Sequence, residues 1–478
     1  MNAFLILALL VGYFVVLVLI SYLTGKNDSN QDFFKAGKQS PWYLVAFGMI
    51  GASLSGVTFI SVPGWVEASQ FSYFQVVLGY MVGYVVVAFV LLPVYYKLNL
   101  TSIYEYLFQR FGFVSHKTGA FFFFISRVLG AAFRLYLVAI VLQQFVFSDW
   151  NVPFEVTVVI SILLIWIYTF KGGIKTIVWT DTLQTLFMIT AVVLSIYFIT
   201  DSIGWSFSEF LASDELKSYS TIFNTDSILE KNYFLKSFFG GLFITICMTG
   251  LDQDMMQKNL TCKTLKDAQK NMFWFTIVLT FVNFMFLVMG LLFTEYAIKN
   301  GIDAHKDQLF PILANEHLGI VAAFCFILGL IASAYSSADS ALTSLTTSFS
   351  IDILEIEKKY DMQKQVAIRK RIHLMFVGIS ILVILFFKYA FNDASIIDKV
   401  LKFAGFTYGP LLGLYAFGLF TKWNVKDKLV PLVAILSVAT SIILNLKSET
   451  WFGFAFGFEI LIVNGLLTFI GLVLIRRQ

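Results

Sequence analysis

Long runs of apolar residues recur along the whole chain, and short polar segments separate them. A helix needs about 20 mostly apolar residues to cross the hydrocarbon core of a bilayer. Thirteen runs come near this length, so the pattern predicts thirteen membrane-spanning helices. The predicted spans cover about residues 3–23, 41–66, 71–96, 118–147, 155–170, 175–200, 234–257, 272–297, 318–350, 372–390, 399–421, 429–446 and 454–475.

The first run, from Asn2 to Tyr22, could also be a cleaved targeting segment. A secretory signal peptide begins with basic residues and ends in a small-residue cleavage site. This run has neither feature. The sequence therefore favours a first helix that is retained.

Basic residues are distributed unevenly between the predicted loops. One side, with its adjoining helix ends, holds 23 of the 34 Lys and Arg residues, among them Lys258 after the seventh span. The other side holds nine. Cytoplasmic loops carry an excess of Lys and Arg, so the richer side is predicted to be cytoplasmic. With an odd number of spans, the N-terminus is then outside and the C-terminus is in the cytoplasm. The protein is predicted to be an integral protein of the cell (inner) membrane.

Two predicted spans are interrupted by glycine. The second contains GMIGASLSGVTF, from Gly48 to Phe59, and the seventh contains FFGGLFITICMTG, from Phe238 to Gly250. They lie five spans apart, so spans 2–6 and 7–11 would form two sets that run in opposite directions. Broken helices at matching places in inverted halves indicate a secondary transporter with a site near the bilayer midplane. Alternatively, the glycines only allow close helix packing.

These elements predict one all-α transmembrane domain over residues 1–478, built as a five-plus-five inverted repeat. Its predicted parts are a first helix with its loop, a first repeat, a second repeat and two final spans, over residues 1–40, 41–200, 234–421 and 422–478.

Composition supports a membrane protein of many spans. The chain is 58% hydrophobic and 13% charged, whereas soluble chains are about 45–50% apolar and about 25% charged. The formal net charge of +4 is small for 478 residues. The lipid bilayer is thus an expected partner, and no nucleic-acid partner is implied. A monomer is expected to be sufficient for function.

Hydroxyl side chains form a stripe in the predicted ninth span. Ser333, Ser336, Ser337, Ser340, Ser344 and Thr347 are spaced to lie on one helical face. Asp339 lies at the edge of this face. Hard cations prefer oxygen ligands, and an ionised carboxylate at mid-membrane costs about 3 kcal/mol, so the stripe indicates ion handling. The alternative is small-residue packing with hydroxyls bonded back to the helix.

Four segments, in order, resemble the sodium/solute symporters, a family that includes sodium–glucose, proline and sialic acid cotransporters. The segments run from Pro93 to Gly112, Lys171 to Met188, Gly250 to Thr264 and Tyr335 to Leu354. The resemblance covers about spans 1–11. It implies the inverted-repeat fold also seen in the leucine transporter, and sodium-coupled symport by alternating access.

The resemblance also implies sodium sites. A first site would use the backbone of Gly51, Leu54 and Ser333 and the hydroxyls of Ser336 and Ser337. A second site, present in some members, would use Asp181, Ser336, Asp339 and Ser340. Serine or another small residue is common in the family where this chain has Asp339, so the second site is expected either to bind sodium more strongly or to bind a proton instead.

The resemblance further implies a solute site beside the broken second span. Ser53, Ser55 and Thr58 are expected to face the solute, and Met248 aligns with an aromatic gate residue of the seventh span. Galactose-transporting members have a Glu–Gln pair where this chain has Val57 and Thr58, so such a sugar is disfavoured. The pocket pattern is closest to that of the sialic acid symporters.

Two arginines lie within the fourth predicted span, seven residues apart on one face. Arg127 is interpreted as snorkelling to the membrane surface or bonding a carbonyl. Arg134 is deeper, and its planar fork suits a carboxylate. Sialic acid symporters carry an arginine at a matching place for that purpose, although a structural pairing of Arg134 remains the alternative.

The sequence therefore predicts a sodium-coupled importer of a small organic solute, carboxylate-bearing and sialic-acid-like. The alternatives are a sodium or proton symporter of a neutral sugar or other polar solute, and a transporter-like sensor that does not cycle. An enzyme is disfavoured because the chain has no H-E-x-x-H zinc motif, and a channel because it has no selectivity-filter signature.

Overall fold

The computed structural model describes residues 3–25, 28–390 and 396–477. Lys26, which belongs to the basic side predicted above, lies outside them. Within these ranges the chain is helical, and β-pairing is limited to two isolated bridges. The principal helices are α1 (Ala3–Thr24), α2 (Trp42–Ser53), α3 (Gly56–Ser69), α4 (Phe74–Lys97), α5 (Phe113–Leu142), α6 (Phe154–Thr169), α7 (Ile174–Ile203), α8 (Phe234–Gly250), α9 (Gln253–Asn259), α10 (Leu265–Asn300), α11 (Gly319–Ile353), α12 (Met362–Ala390), α13 (Ile396–Phe420), α14 (Val430–Phe452) and α15 (Ile460–Leu474). Short helices in the connections are Asn30–Lys35, Glu105–Arg110, Phe207–Ala212, Asp214–Tyr219, Leu309–Ile312 and Ile356–Lys359.

Each of the thirteen predicted spans contains a helix in the structure, although residues 454–459 of the last one precede α15. Among the described residues, nine helices are long and apolar enough to cross a membrane, and the number rises to eleven if each of two bent pairs is one span. The fifth and thirteenth predicted spans are the shorter apolar helices α6 and α15, of 16 and 15 residues. Because these fall below the usual length of about 20 residues, thirteen crossings remain a prediction.

The two bent pairs lie at the predicted interruptions. Helices α2 and α3 meet at 60°, and α8 and α9 meet at 67°. At the first break Leu54 has φ −85° and ψ 76°, and Ser55 is extended. Serine side chains compete for backbone hydrogen bonds and weaken a helix interior. Each break places two helix ends, whose terminal backbone groups lack partners within the helix, inside the bundle.

Close packing of α2 on α7 depends on two glycines. A methyl group at Gly48 would lie 3.0 Å from the Cβ of Asp181, and one at Gly51 would lie 2.4 Å from Thr185 Oγ1. The Gly51 amide donates a hydrogen bond to that same Thr185 oxygen at 3.0 Å. The glycines of this segment thus serve close packing as well as the helix break.

Gly51→Ala is expected to lower the thermal unfolding midpoint of the purified protein. The new methyl group displaces the Thr185 side chain and breaks its bond to the amide, and overpacking of this kind costs about 1–3 kcal/mol. Gly378→Ala in α12 is the matched control, since a methyl group there meets nothing within 4 Å. Equal midpoints for both variants would contradict the packing role of Gly51.

Candidate functional site

The hydroxyl stripe lies in the interior of the bundle. Helix α11 packs along α7 and also contacts α2 and α3. Ser333, Ser336, Ser337 and Ser340 are each at most 1% exposed, and Asp339 is fully buried. The predicted face therefore points away from lipid, towards the helix that carries Asp181 and towards the first helix break.

Two serines predicted for the first sodium site, Ser336 and Ser337, lie against the end of α2. Ser337 Oγ donates a hydrogen bond to the carbonyl of Ala52 at 3.2 Å. A methyl group at Gly51 would lie 3.3 Å from Ser336 Oγ, so the stripe abuts the last turn of α2, which Leu54 terminates. The carbonyl end of a helix carries partial negative charge. Carbonyl and hydroxyl oxygens with this polarity suit a hard monovalent cation.

The hydroxyl of Ser333 is bonded within its own helix. Its Oγ donates to the carbonyl of Leu330 at 2.9 Å, within its own helix. This is the back-bonding that the packing interpretation of the stripe predicts. Ser344 does the same, with a bond to the carbonyl of Ala341 at 3.0 Å, so the packing interpretation describes these two hydroxyls, and ion handling by the other members stays a prediction.

The residues predicted for the second sodium site form one buried cluster between α7 and α11. Ser336 Oγ donates to Asp181 Oδ1 at 2.7 Å, and Ser340 Oγ donates to Asp181 Oδ2 at 3.5 Å. Ser340 Oγ also lies 3.3 Å from Asp339 Oδ1. Asp339 Oδ2 accepts a bond from the hydroxyl of Tyr168 at 2.8 Å. The two carboxylates are thus linked through hydroxyl groups.

Lys258 is not a loop residue, which corrects the sequence-based assignment. Because α9 is bent 67° from α8, it enters the bundle, and every one of its residues is buried. Lys258 Nζ lies 2.6 Å from Asp181 Oδ2, in an ion pair whose two side chains are 2% and 1% exposed. The lysine is therefore a member of the carboxylate cluster and not a marker of the cytoplasmic surface.

The residues predicted to face the solute line one cavity beside the first helix break. Its lining comes from both sides of the break between α2 and α3 and from α4, α5, α8, α9 and α10. The predicted members that line it are Ser53, Ser55, Thr58, Arg134 and Met248.

Arg134 connects this cavity to the first candidate sodium site. Its Nη1 donates a hydrogen bond to Ser337 Oγ at 2.8 Å. The hydrogen bond described for Arg134 goes to a neutral hydroxyl, so binding of a solute carboxylate and a structural pairing with Asp or carbonyl groups both stay predictions. A guanidinium group carries five donors in a planar fork, so one that lines a polar cavity can bind an anion.

Arg127 has a different environment, although it lines the same cavity. Its guanidinium forms an ion pair with Asp254 and lies 3.7 Å from Asp252 Oδ2. Tyr408 also bonds Asp252. Arg127 pairs with carboxylates, which corrects the expectation that it snorkels to the membrane surface or bonds a carbonyl.

Several cavity residues were not found from the sequence. Tyr73, Tyr80 and Tyr84 line the cavity from the start of α4, and Asn283 lines it from α10. The hydroxyls of Tyr73 and Tyr80 lie 3.3 Å apart. The tyrosines are seven and four residues apart, which places them on one helical face. This spacing was the feature of the sequence that could have indicated a cavity lining. For Asn283 the signal was a lone amide in an apolar span.

A broken helix, buried hydroxyl and carboxylate oxygens and an adjoining polar cavity together define an ion-coupled transporter. Residues 33–426 match the profile of the sodium:solute symporter family. The match covers most of the 478 residues, and the chain belongs to this family. It is a sodium-coupled symporter embedded in a bilayer, and its chemistry is transport rather than catalysis.

Individual relatives extend this comparison. The chain is 25% identical over 460 residues to the sodium/sialic acid symporter NanT of Aliivibrio fischeri, covering 94% of this chain and 89% of the relative. It is 24% identical to the sodium/sialic acid symporter SiaT of Proteus mirabilis, covering 90% and 88%. It is also 25% identical to the human sodium-coupled monocarboxylate transporter 1, covering 88% of this chain and 69% of that one.

The fold is that of a solved symporter. A substrate-bound, outward-open sodium-coupled sialic acid symporter superposes with a TM-score of 0.84, at 22% identity and over 99% of both chains. The expected leucine-transporter-like architecture is therefore confirmed. A nucleobase–cation symporter, Mhp1, gives a TM-score of 0.52 at 13% identity, over 93% of both chains.

Proposed function

We propose that this protein imports a small carboxylate-bearing solute, sialic-acid-like in chemistry, together with sodium by alternating access. The observation that carries the proposal is Arg134, which lines the cavity beside the helix break and, among the described residues, bonds the neutral hydroxyl of Ser337. Its fork matches the two oxygens of a carboxylate. Relatives named as sialic acid and monocarboxylate transporters have solutes that share this group.

The solute would bind between the helix break and Arg134. Ser53, Ser55 and Thr58 offer hydroxyl groups for a polar body, and Met248 offers an apolar contact. A site that hydrogen-bonds a substrate rejects analogues that leave its buried polar groups unpaired. A neutral sugar would leave the Arg134 guanidinium without a counter-charge, so the site is expected to favour acids.

Sodium is assigned to the first site on the basis of its oxygen donors. The proposed ligands are the backbone of Gly51, Leu54 and Ser333 with the hydroxyls of Ser336 and Ser337. We assign a second monovalent cation to Asp181, Ser336, Asp339 and Ser340. The Ser337 hydroxyl, a proposed sodium ligand, is bonded by Arg134 of the proposed solute site. The two proposed sites therefore adjoin at this hydroxyl.

The membrane arrangement follows from charge bias and is part of the proposal. We assign the basic side to the cytoplasm of a cell (inner) membrane, with the N-terminus outside and the C-terminus inside. The two repeats, residues 41–200 and 234–421, would move against each other around the site. A monomer holds all the proposed ligands.

Matched pairs of solutes test the carboxylate preference. Thermal stabilisation of the purified protein is measured in sodium chloride with N-acetylneuraminic acid, with its methyl ester, and with short monocarboxylates and their amides. We expect the acids to stabilise the protein and the neutral partners to lose at least about tenfold in affinity, which corresponds to about 1.4 kcal/mol. Equal stabilisation by acids and neutral partners would overturn the assignment.

A further inference from the structure

Lys258 forms an ion pair with Asp181, the carboxylate that is proposed to bind the second sodium. Lys258 Nζ lies 2.6 Å from Asp181 Oδ2, and both side chains are almost completely buried. An ammonium ion and a sodium ion are both compact single positive charges that seek oxygen. For sodium to use this carboxylate oxygen, it must therefore share it with Lys258 or displace Lys258.

The charges of the cluster are compatible with an exchange of cations. Asp181 and Asp339 carry two negative charges when ionised, and Lys258 carries one positive charge. Tyr168 contributes a neutral hydroxyl, with a bond to Asp339 Oδ2 at 2.8 Å. A buried charge is costly unless it is paired, and replacement of the ammonium group by a sodium ion at Asp181 keeps that carboxylate paired with one positive charge.

The ion pair also joins the two predicted repeats. Asp181 belongs to α7 in the first repeat, and Lys258 belongs to α9, the shorter half of the bent pair in the second repeat. Alternating access in this kind of fold moves one repeat or bundle against the other around the binding site. The ion pair between Asp181 of α7 and Lys258 of α9 therefore joins two parts of the protein that would move relative to each other, and this movement would change the distance between the two side chains.

We propose that Lys258 is a tethered competitor of sodium at Asp181. The ammonium group and the second sodium bind the same carboxylate in turn, and the return of Lys258 favours release of the ion. The four-carbon side chain lets the charge withdraw without movement of the backbone. This inference rests on the proposed assignment of Asp181 to the second cation site.

Sodium titrations of the purified protein, without solute, test the competition. Thermal stabilisation is measured as sodium chloride replaces choline chloride at constant ionic strength. We expect Lys258→Met to need at least about tenfold less sodium for half-maximal stabilisation than the wild type. Lys258→Arg keeps the charge, and its sodium requirement should stay within about threefold of the wild type. If Lys258→Met does not fold, the neutral Lys258→Gln carries the same expectation.

Two further variants separate the possible outcomes. Lys236→Met removes another buried lysine, which lies 3.9 Å from Glu459, and it should leave the sodium requirement unchanged. Asp181→Asn should weaken sodium stabilisation and remove the gain when combined with Lys258→Met. An unchanged or higher sodium requirement in Lys258→Met, with a weakened Asp181→Asn, would overturn the competition but keep the site. An unchanged Asp181→Asn would overturn the second-site assignment and the competition with it.

Discussion

Replacing Ser337 with alanine is expected to raise the sodium concentration for half-maximal uptake by at least about tenfold, the equivalent of about 1.4 kcal/mol. The Ser337 hydroxyl lies at the junction of the site, with bonds to the carbonyl of Ala52 and to Arg134. Removal of this oxygen takes a proposed ligand from the sodium ion and a hydrogen-bond partner from Arg134. Uptake into proteoliposomes, measured over a series of external sodium concentrations, gives the sodium concentration for half-maximal uptake.

Ser344→Ala is the matched control for this prediction. Ser344 lies on the same face of the same helix and is equally buried, but its hydroxyl bonds only the carbonyl of Ala341 within α11. Its sodium requirement should equal that of the wild type. A Ser337→Ala protein with a wild-type sodium requirement would remove this serine from the sodium site.

Arg134→Lys is expected to raise the solute KM by at least about tenfold while the protein still inserts and folds. Lysine keeps the charge but loses the planar fork that holds both oxygens of a carboxylate. The same variant should also discriminate less between an acid and its neutral ester or amide. Competition binding with the matched solute pairs measures this discrimination directly.

Arg127→Lys is the comparison for Arg134. Both arginines come from α5 and line the cavity, but Arg127 is already paired with Asp254. A lysine can keep that ion pair, so the preference for acids should survive in Arg127→Lys. If Arg134→Lys keeps the preference as well, or if the transported solute is neutral, Arg134 is structural.

The helices and their breaks could be predicted from the sequence because they depend on local properties. Apolar runs fix the spans, and the Gly and Ser residues around Leu54 weaken the helix there. The stripe from Ser333 to Ser340 followed from helical spacing alone. The closeness of Asp181 to this stripe came from resemblance, since 155 residues separate it from Ser336 and no local pattern links them.

The buried position of Lys258 could not be predicted from the sequence, and the reason is physical. Its neighbours in sequence are polar and basic, a composition typical of a cytoplasmic loop. Only the 67° bend before α9 brings it into the bundle, where Asp181 compensates its charge. The partners of Arg127 were missed in the same way, because they come from the residues that follow the second break.

Sodium-driven accumulation in proteoliposomes tests the central claim most directly. The purified protein is reconstituted, and uptake of a labelled acid that the binding panel identifies is followed under an inward sodium gradient, with equal sodium on both sides, and under an inward potassium gradient. The account predicts a transient internal concentration above the external one under the sodium gradient alone, and its loss in Ser337→Ala at limiting sodium. Uptake that only equilibrates, or that is the same with sodium and potassium, would contradict it.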